Sequence, residues 1–307
     1  MKIAFIFPGQ ASQKVGMGLD FYSNTEMGKN YFDLADDIMG SKISDVILNG
    51  PEETLKQTRY TQPAIYIVSV ITGQLLLEKG IKPAAVAGHS LGEYSALTIA
   101  GAFDFATGLE LVKLRAASMQ EAGQAQTGAM AAIIGLDESQ VEQVCQKATD
   151  SGIVVVANFN APGQIVISGS VAGVHSAMTI AKEYGARKVI ELNVSGAFHS
   201  PLMTPAREKL AQKLADTMIN DLTIPVYSNV TTKPVTIGSE IRKNLINQLE
   251  NPVRWQASIS NMGSAGITNF IEVGPGRVLQ GLLRRINRKF EVSGIESLTD
   301  IDNYKDV

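Results

Sequence analysis

A single cysteine, Cys145, among 307 residues excludes an internal disulfide and any cysteine-built metal site. Such usage fits a reducing compartment, and Cys145 is expected to pack within a helix. Positive charge is short as well. With 27 Lys and Arg against 30 Asp and Glu, the net charge is −3, which argues against a general nucleic-acid binder. Long apolar runs are missing. The opening "KIAFIF" stops at Pro8-Gly9, too early for a secretory signal. The best membrane candidate, "PAIYIVSVITGQLLL", is short of a span and is broken by Ser69, Thr72, Gly73 and Gln74, so it reads as a buried helix. "GQASQKVGMG" is glycine-rich but lacks the Lys-Ser/Thr ending of a phosphate-binding loop. A soluble, cytoplasmic protein is expected, with no metal and neither membrane nor nucleic acid as a partner.

What is present suits an α/β protein. At this length the chain can bury a substantial core as one large domain, or as a large and a small one. "KIAFIF" reads as a fully buried strand, and a helix is expected to open at Pro63, a good first-turn residue. Asp104 should cap a helix running to about Glu121, with Gly123 closing it. From Gly128 the pattern changes to β-α-β-β-α-β, the split βαβ of ferredoxin-like units. Its central hairpin turns at Ala161-Pro162-Gly163-Gln164, where Pro then Gly suits a type II turn. Residues 125–195 therefore read as a small ferredoxin-like domain inserted into a larger one made of 1–124 and 196–307. The segment Thr223–Val230 and the run "ITNFIEV" supply further strands of the large domain, and a last helix carries Arg284, Arg285, Arg288 and Lys289.

The stretch "AAVAGHSLGEYSALTIAGAF", residues 84–103, carries the first chemical signal. A short apolar strand runs into Gly88-His89-Ser90-Leu91-Gly92, and a helical pattern follows at once. This is the pattern of a nucleophile elbow, a tight turn that lifts a serine oxygen clear of the backbone. The glycines let the chain pass without side-chain clash. The helix end beneath offers free amides to a developing negative charge, with Leu91 as one donor. A serine needs a base, and only His89, His175 and His199 are available. His175 falls inside a small-domain helix. His89 adjoins the serine, but neighbours at a sharp turn point apart. His199, in the loop "NVSGAFHSPL", follows the serine as the histidine does in α/β-hydrolases and is the base of choice. No carboxylate stands out to orient it.

The helix after Asp104 holds the second signal. Glu110, Lys113, Ala117 and Gln120 mark its solvent side, and Leu111, Val112, Leu114, Ser118 and Met119 the other. Arg115 falls in the apolar set, nearly opposite Lys113. A charge there needs a partner. Either a structural ion pair satisfies it, or the side chain snorkels to solvent, or the guanidinium fork waits for a substrate carboxylate.

Taken together, these residues resemble the malonyl-CoA:acyl-carrier-protein transacylases over nearly the whole chain. The motifs that carry the likeness are "FPGQASQKVGMG", "GHSLGEYSAL", "KLRAASMQ", "NAPGQIVISG", "SGAFHSPLM", "NPVRWQ" and "EVGPGRVL". The resemblance implies an α/β-hydrolase-like catalytic domain with a mostly parallel sheet and an acyltransferase that works through a malonyl-serine. It implies Ser90 as nucleophile, His199 as base, and the backbone amides of Gln10 and Leu91 as the oxyanion hole. It further implies the Gln248 carbonyl as the His199 orienter, Arg115 as the carboxylate clamp, and Phe198 as an acyl-pocket residue with little room for an α-methyl branch. Malonyl-CoA and acyl carrier protein are the implied partners. Coenzyme A and carrier-borne phosphopantetheine enter as substrates, and no cofactor is implied. Because carrier proteins are acidic, the basic cluster at Arg284, Arg285, Arg288 and Lys289 is either a docking site or a solvated helix end. A polyketide loading enzyme, a serine thioesterase or esterase, and a silent carrier-docking module are the rivals. Arg115 weighs against the hydrolases, which need no carboxylate clamp.

Overall fold

The computed structural model describes residues 2–304. Among these residues ten strands form two sheets. The larger uses β1 (Ile3–Phe7), β2 (Ala85–Gly88), β7 (Val226–Tyr227), β8 (Pro234–Val235), β9 (Asn269–Val273) and β10 (Glu291–Ile295), in the order β10-β9-β1-β2-β7-β8. All its pairings are parallel except β7 with β8. Central strands of such a sheet are covered on both faces, which is why β1 is apolar at every position and buried over Ala4–Phe7. The register sets the site. Phe7 pairs with Gly88, so β1 and β2 end at one level and the Pro8-Gly9-Gln10 loop leaves the sheet beside the Ser90 turn. Ligand sites of open α/β sheets lie at these carboxyl ends.

The smaller sheet uses β3 (Gly128–Ile134), β4 (Val154–Ala161), β5 (Gln164–Ser170) and β6 (Lys188–Glu191), all antiparallel, in the order β4-β5-β3-β6. Helices Glu138–Ala148 and Val171–Glu183 fall between its strands, which is the ferredoxin-like order. Its hairpin turns through Pro162 and Gly163, the latter at φ 67° as a type II turn requires. It has its own apolar core, which includes Cys145. Among the described residues no helix is long and apolar enough to cross a membrane.

Several sequence expectations need correction. The helix expected at Pro63 starts at Thr58 and runs to Glu78, with Pro63 inside it. Nearly all of its residues from Thr61 to Gly73 are buried, and packing of that extent outweighs one missing amide. The helix after Asp104 runs on to Ala125, so Gly123 does not close it. Gly123 is needed for a close approach instead, since a Cβ there would sit 2.1 Å from the Ser195 carbonyl oxygen. Of the segment Thr223–Val230 only Val226–Tyr227 pairs in the sheet, because Asn229 and its neighbours turn into the site described below. Arg284 and Arg285 end the helix Val278–Ile286. Arg288 and Lys289 lie in the turn beyond it, and β10 and the helix Leu298–Asn303 follow, so this helix is not the last.

Candidate active site

The Ser90 turn cannot be built with larger residues around it. A Cβ on Gly88 would lie 1.8 Å from the Gly92 carbonyl carbon, and one on Gly92 would lie 2.1 Å from the Phe7 oxygen. Ser90 itself sits at φ 50°, a left-handed conformation that costs a non-glycine residue about 1–3 kcal/mol. Asn229 holds it there. The Ser90 amide donates to Asn229 Oδ1 at 2.7 Å, and Asn229 Nδ2 donates to the Gly88 carbonyl at 2.7 Å.

The structure brings Ser90 and His199 together. Ser90 Oγ is 2.8 Å from His199 Nε2, and His199 Nδ1 is 2.8 Å from the Gln248 carbonyl oxygen. A carbonyl only accepts, so Nδ1 carries the ring proton and Nε2 is the lone pair facing the serine hydroxyl. A main-chain oxygen thus occupies the place for which no carboxylate stood out. Burial and the nearby Arg115 charge lower the His199 pKa to about 3. The imidazole is therefore neutral, and able to accept a proton, around neutral pH. Acylation of Ser90 by a neutral chromogenic ester should show no acid limb near the ordinary histidine pKa of about 6.5. A limb centred there in the rate–pH profile would mean that His199 is solvated. His89 turns away: its Nε2 is 2.8 Å from Asn160 Oδ1 and its ring packs on Trp255. His175 lies on a surface helix beside Glu191, with half of its side chain exposed.

Arg115 is 1% exposed, and its helix aims it into the turn. Its Nη1 donates to Gln62 Oε1 at 2.6 Å, and its Nη2 donates to Ser90 Oγ at 3.1 Å and Gln248 Oε1 at 3.0 Å. The guanidinium also lies over the Tyr94 ring, 5.6 Å from its centroid. Every acceptor is a neutral oxygen. Among the described residues no carboxylate is within ion-pair distance of Arg115, and Nε has no partner. Of the readings the sequence left open, the structural ion pair is absent among the described residues, and the side chain is buried and does not snorkel. Burial disfavours the charged form and lowers the Arg115 pKa, opposed by nearby Tyr94 and Glu93, so the cation is held with no anion in direct contact.

A cavity of about 550 Å³ opens over these groups, lined among others by Gln10, Leu91, Arg115, Met119, Phe198 and His199. The amides of Gln10 and Leu91 donate to no other group among the described residues. Phe198 is 6% exposed and forms part of the wall. Arg284, Arg285, Arg288 and Lys289 do not line the cavity. They are exposed, and Arg285 Nη1 donates to Gln164 Oε1 on the small-sheet hairpin at 2.9 Å.

Sequence reasoning missed four participants: Gln62, Glu93, Asn229 and the side chain of Gln248. The Gln248 amide is a hub, since besides accepting from Arg115 its Nε2 donates to the Ser90 carbonyl at 3.0 Å and to Glu93 Oε2 at 2.7 Å. No signal in a single sequence marks an ordinary glutamine or asparagine on a distant segment.

Known proteins similar to this chain are many. A family model for the acyl transferase domain matches residues 4–305. The chain is 45% identical over 302 residues to the malonyl CoA-acyl carrier protein transacylase of Bacillus subtilis (strain 168), covering 98% of this chain and 95% of that one. It superposes with a TM-score of 0.96 on an acyl carrier protein S-malonyltransferase from Vibrio cholerae O1 biovar eltor str. N16961, at 41% identity over 99% of this chain and 100% of the other. A malonyl-transacylase solved in complex with a type II PKS acyl-carrier protein gives 0.94, at 39% identity and 98% coverage of both chains.

Proposed function

The chain belongs to the acyl transferase family, and from that premise we propose that it moves a malonyl group from malonyl-CoA to the phosphopantetheine thiol of an acyl carrier protein for fatty-acid synthesis. The observation that carries this reading is Arg115, a buried cation with no carboxylate in direct contact, 3.1 Å from Ser90 Oγ. That cation selects an acyl group that ends in a carboxylate.

The reaction follows from the atoms present. Ser90 Oγ attacks the thioester carbonyl while its proton passes to His199 Nε2, and the Gln248 carbonyl stabilises the imidazolium through Nδ1–H. Amides of Gln10 and Leu91 receive the oxyanion. Collapse breaks the carbon–sulfur bond, and the His199 proton leaves with coenzyme A. The carrier thiol repeats the sequence in reverse on the serine ester. The exchange needs no resident cofactor. We also place it in the cytoplasm, the compartment that the single cysteine fits. Phe198 narrows the wall of the acyl pocket against an α-methyl branch.

A transferase is separated from a hydrolase by stoichiometry. Mixing with malonyl-CoA alone should release one equivalent of coenzyme A per chain and then stop until a carrier thiol is added. Continued release without an acceptor would mark a thioesterase. The malonyl-transacylase solved with a type II PKS carrier favours a second reading, polyketide loading, with the same chemistry and a different carrier.

For the carrier we propose docking at the exposed cluster of Arg284, Arg285, Arg288 and Lys289, opposite in sign to an acidic partner. Reversing Arg284 and Arg288 to glutamate should raise the carrier KM by roughly tenfold and flatten its salt dependence, because rim charges act mainly on encounter. The malonyl-CoA half-reaction should not change. Equal damage to both half-reactions would exclude docking there.

A further inference from the structure

Resting on the malonyl reading above, we propose that Glu93 is the resident counter-charge of Arg115, a positioning residue that acts through Gln248 and takes up a proton when a substrate carboxylate occupies the clamp.

Glu93 is 3% exposed in the first turn of the helix Gly92–Ala100, directly behind the serine turn. Its Oε2 accepts from Gln248 Nε2 at 2.7 Å and from the Asn229 amide at 3.3 Å. On the other side of the same glutamine, Oε1 accepts from Arg115 at 3.0 Å. One neutral amide therefore spans a buried carboxylate and a buried guanidinium that do not touch each other. Gln248 cannot turn over without setting Nε2 against the guanidinium and Oε1 against the carboxylate, so Arg115 and Glu93 together fix which way the amide points. That orientation presents Oε1 to Arg115 and holds Nη2 toward Ser90.

The pair also sets the charge of the pocket. Burial raises the Glu93 pKa to about 7, opposed by the Gln248 and Asn229 hydrogen bonds and by Arg115. Glu93 is thus brought toward the neutral range, with one cation beyond Gln248. A malonyl carboxylate on Arg115 makes two carboxylates share one guanidinium, and the second charge raises the proton affinity of the first. The proton comes from solvent onto the Glu93 carboxylate, and no other bond changes. Other titratable groups at the turn and on elements packed against this helix include Tyr94 on the helix itself, His89 at the turn, His199 on the loop after β6, Tyr66 on Thr58–Glu78 and Tyr227 on β7. Burial raises all three phenols and lowers both histidines, so each stays neutral near pH 7. Glu93 is the group left to respond.

The experiment measures protons taken up while malonyl-CoA or acetyl-CoA acylates Ser90 of the full chain, in weakly buffered solution with a pH indicator. Malonyl-CoA should draw a fraction of a proton more than acetyl-CoA, since coenzyme A ionisation is common to both. In Glu93→Gln that difference should vanish. The malonyl-to-acetyl ratio of kcat/KM should fall with rising pH in the wild type, by up to about tenfold per unit between about pH 7 and 9, and should be flat in Glu93→Gln. A wild type with no malonyl-specific uptake, or a folded Glu93→Gln that keeps it, overturns the assignment. The wild-type arm needs no variant, so a misfolded Glu93→Gln would not protect it. If malonyl-CoA fails to label Ser90 at all, the functional reading falls too; if it labels without extra protons, only the role of Glu93 does.

Discussion

With Ser90 changed to alanine, no malonyl group should stay on the protein and transfer to the carrier should drop to background. In the proposed relay both half-reactions run through the one oxygen, which accepts from Arg115 and donates to His199, and among the described residues no other hydroxyl is hydrogen-bonded to His199 Nε2. Removing the nucleophile or the base from such a unit costs roughly six orders of magnitude in turnover. His199→Ala should come close to that loss, because among the described residues Nε2 is the only base in contact with Oγ. The two losses should not add, since each variant already disables the same step. The measurement is single-turnover acylation by radiolabelled malonyl-CoA, with thermal unfolding as a check on folding. A Ser90→Ala protein that still forms a covalent adduct would overturn the mechanism.

Arg115→Ala should cost less but say more about the substrate. A desolvated arginine–carboxylate pair is worth about 2–5 kcal/mol on truncation, which is roughly 30- to several-thousand-fold in kcat/KM for malonyl transfer. Acetyl transfer should change little or improve, because its methyl group no longer faces a buried charge. Arg115→Lys should recover only part of the loss, since a single ammonium cannot reproduce the fork that reaches Gln62, Ser90 and Gln248 together. The quantity to compare is the malonyl-to-acetyl ratio on folded protein. Proportional loss of both activities would make Arg115 a structural residue.

How much of this was legible depended on whether the information was local. The Ser90 turn was readable because strand, turn and helix are contiguous and the glycines at 88 and 92 are steric necessities. Arg115 was readable because one turn of helix is enough to show a charge on the apolar side. The ferredoxin-like unit was readable because its hairpin, caps and periodicities repeat within about 70 residues. What stayed hidden is the work of distant segments. The Gln248 contact to His199 uses a main-chain oxygen, which every residue carries, and only family resemblance pointed to it. Glu93 looks in sequence like an ordinary acid in a helix first turn, and it is Asn229 and Gln248, 136 and 155 positions away, that make it a buried functional group. Pro63 and Gly123 misled for a related reason. Local rules for helix ends gave way to packing against Ser195 and to a helix buried along most of its length.

The most direct test is intact-mass analysis of the wild-type chain mixed first with malonyl-CoA and then with holo acyl carrier protein, with peptide mapping of the intermediate. The expected result is one malonyl adduct on Ser90 that persists without carrier and disappears as malonyl-carrier forms in equal amount. An unmodified chain that nonetheless malonylates the carrier, or an adduct on any other residue, would contradict a covalent relay through Ser90.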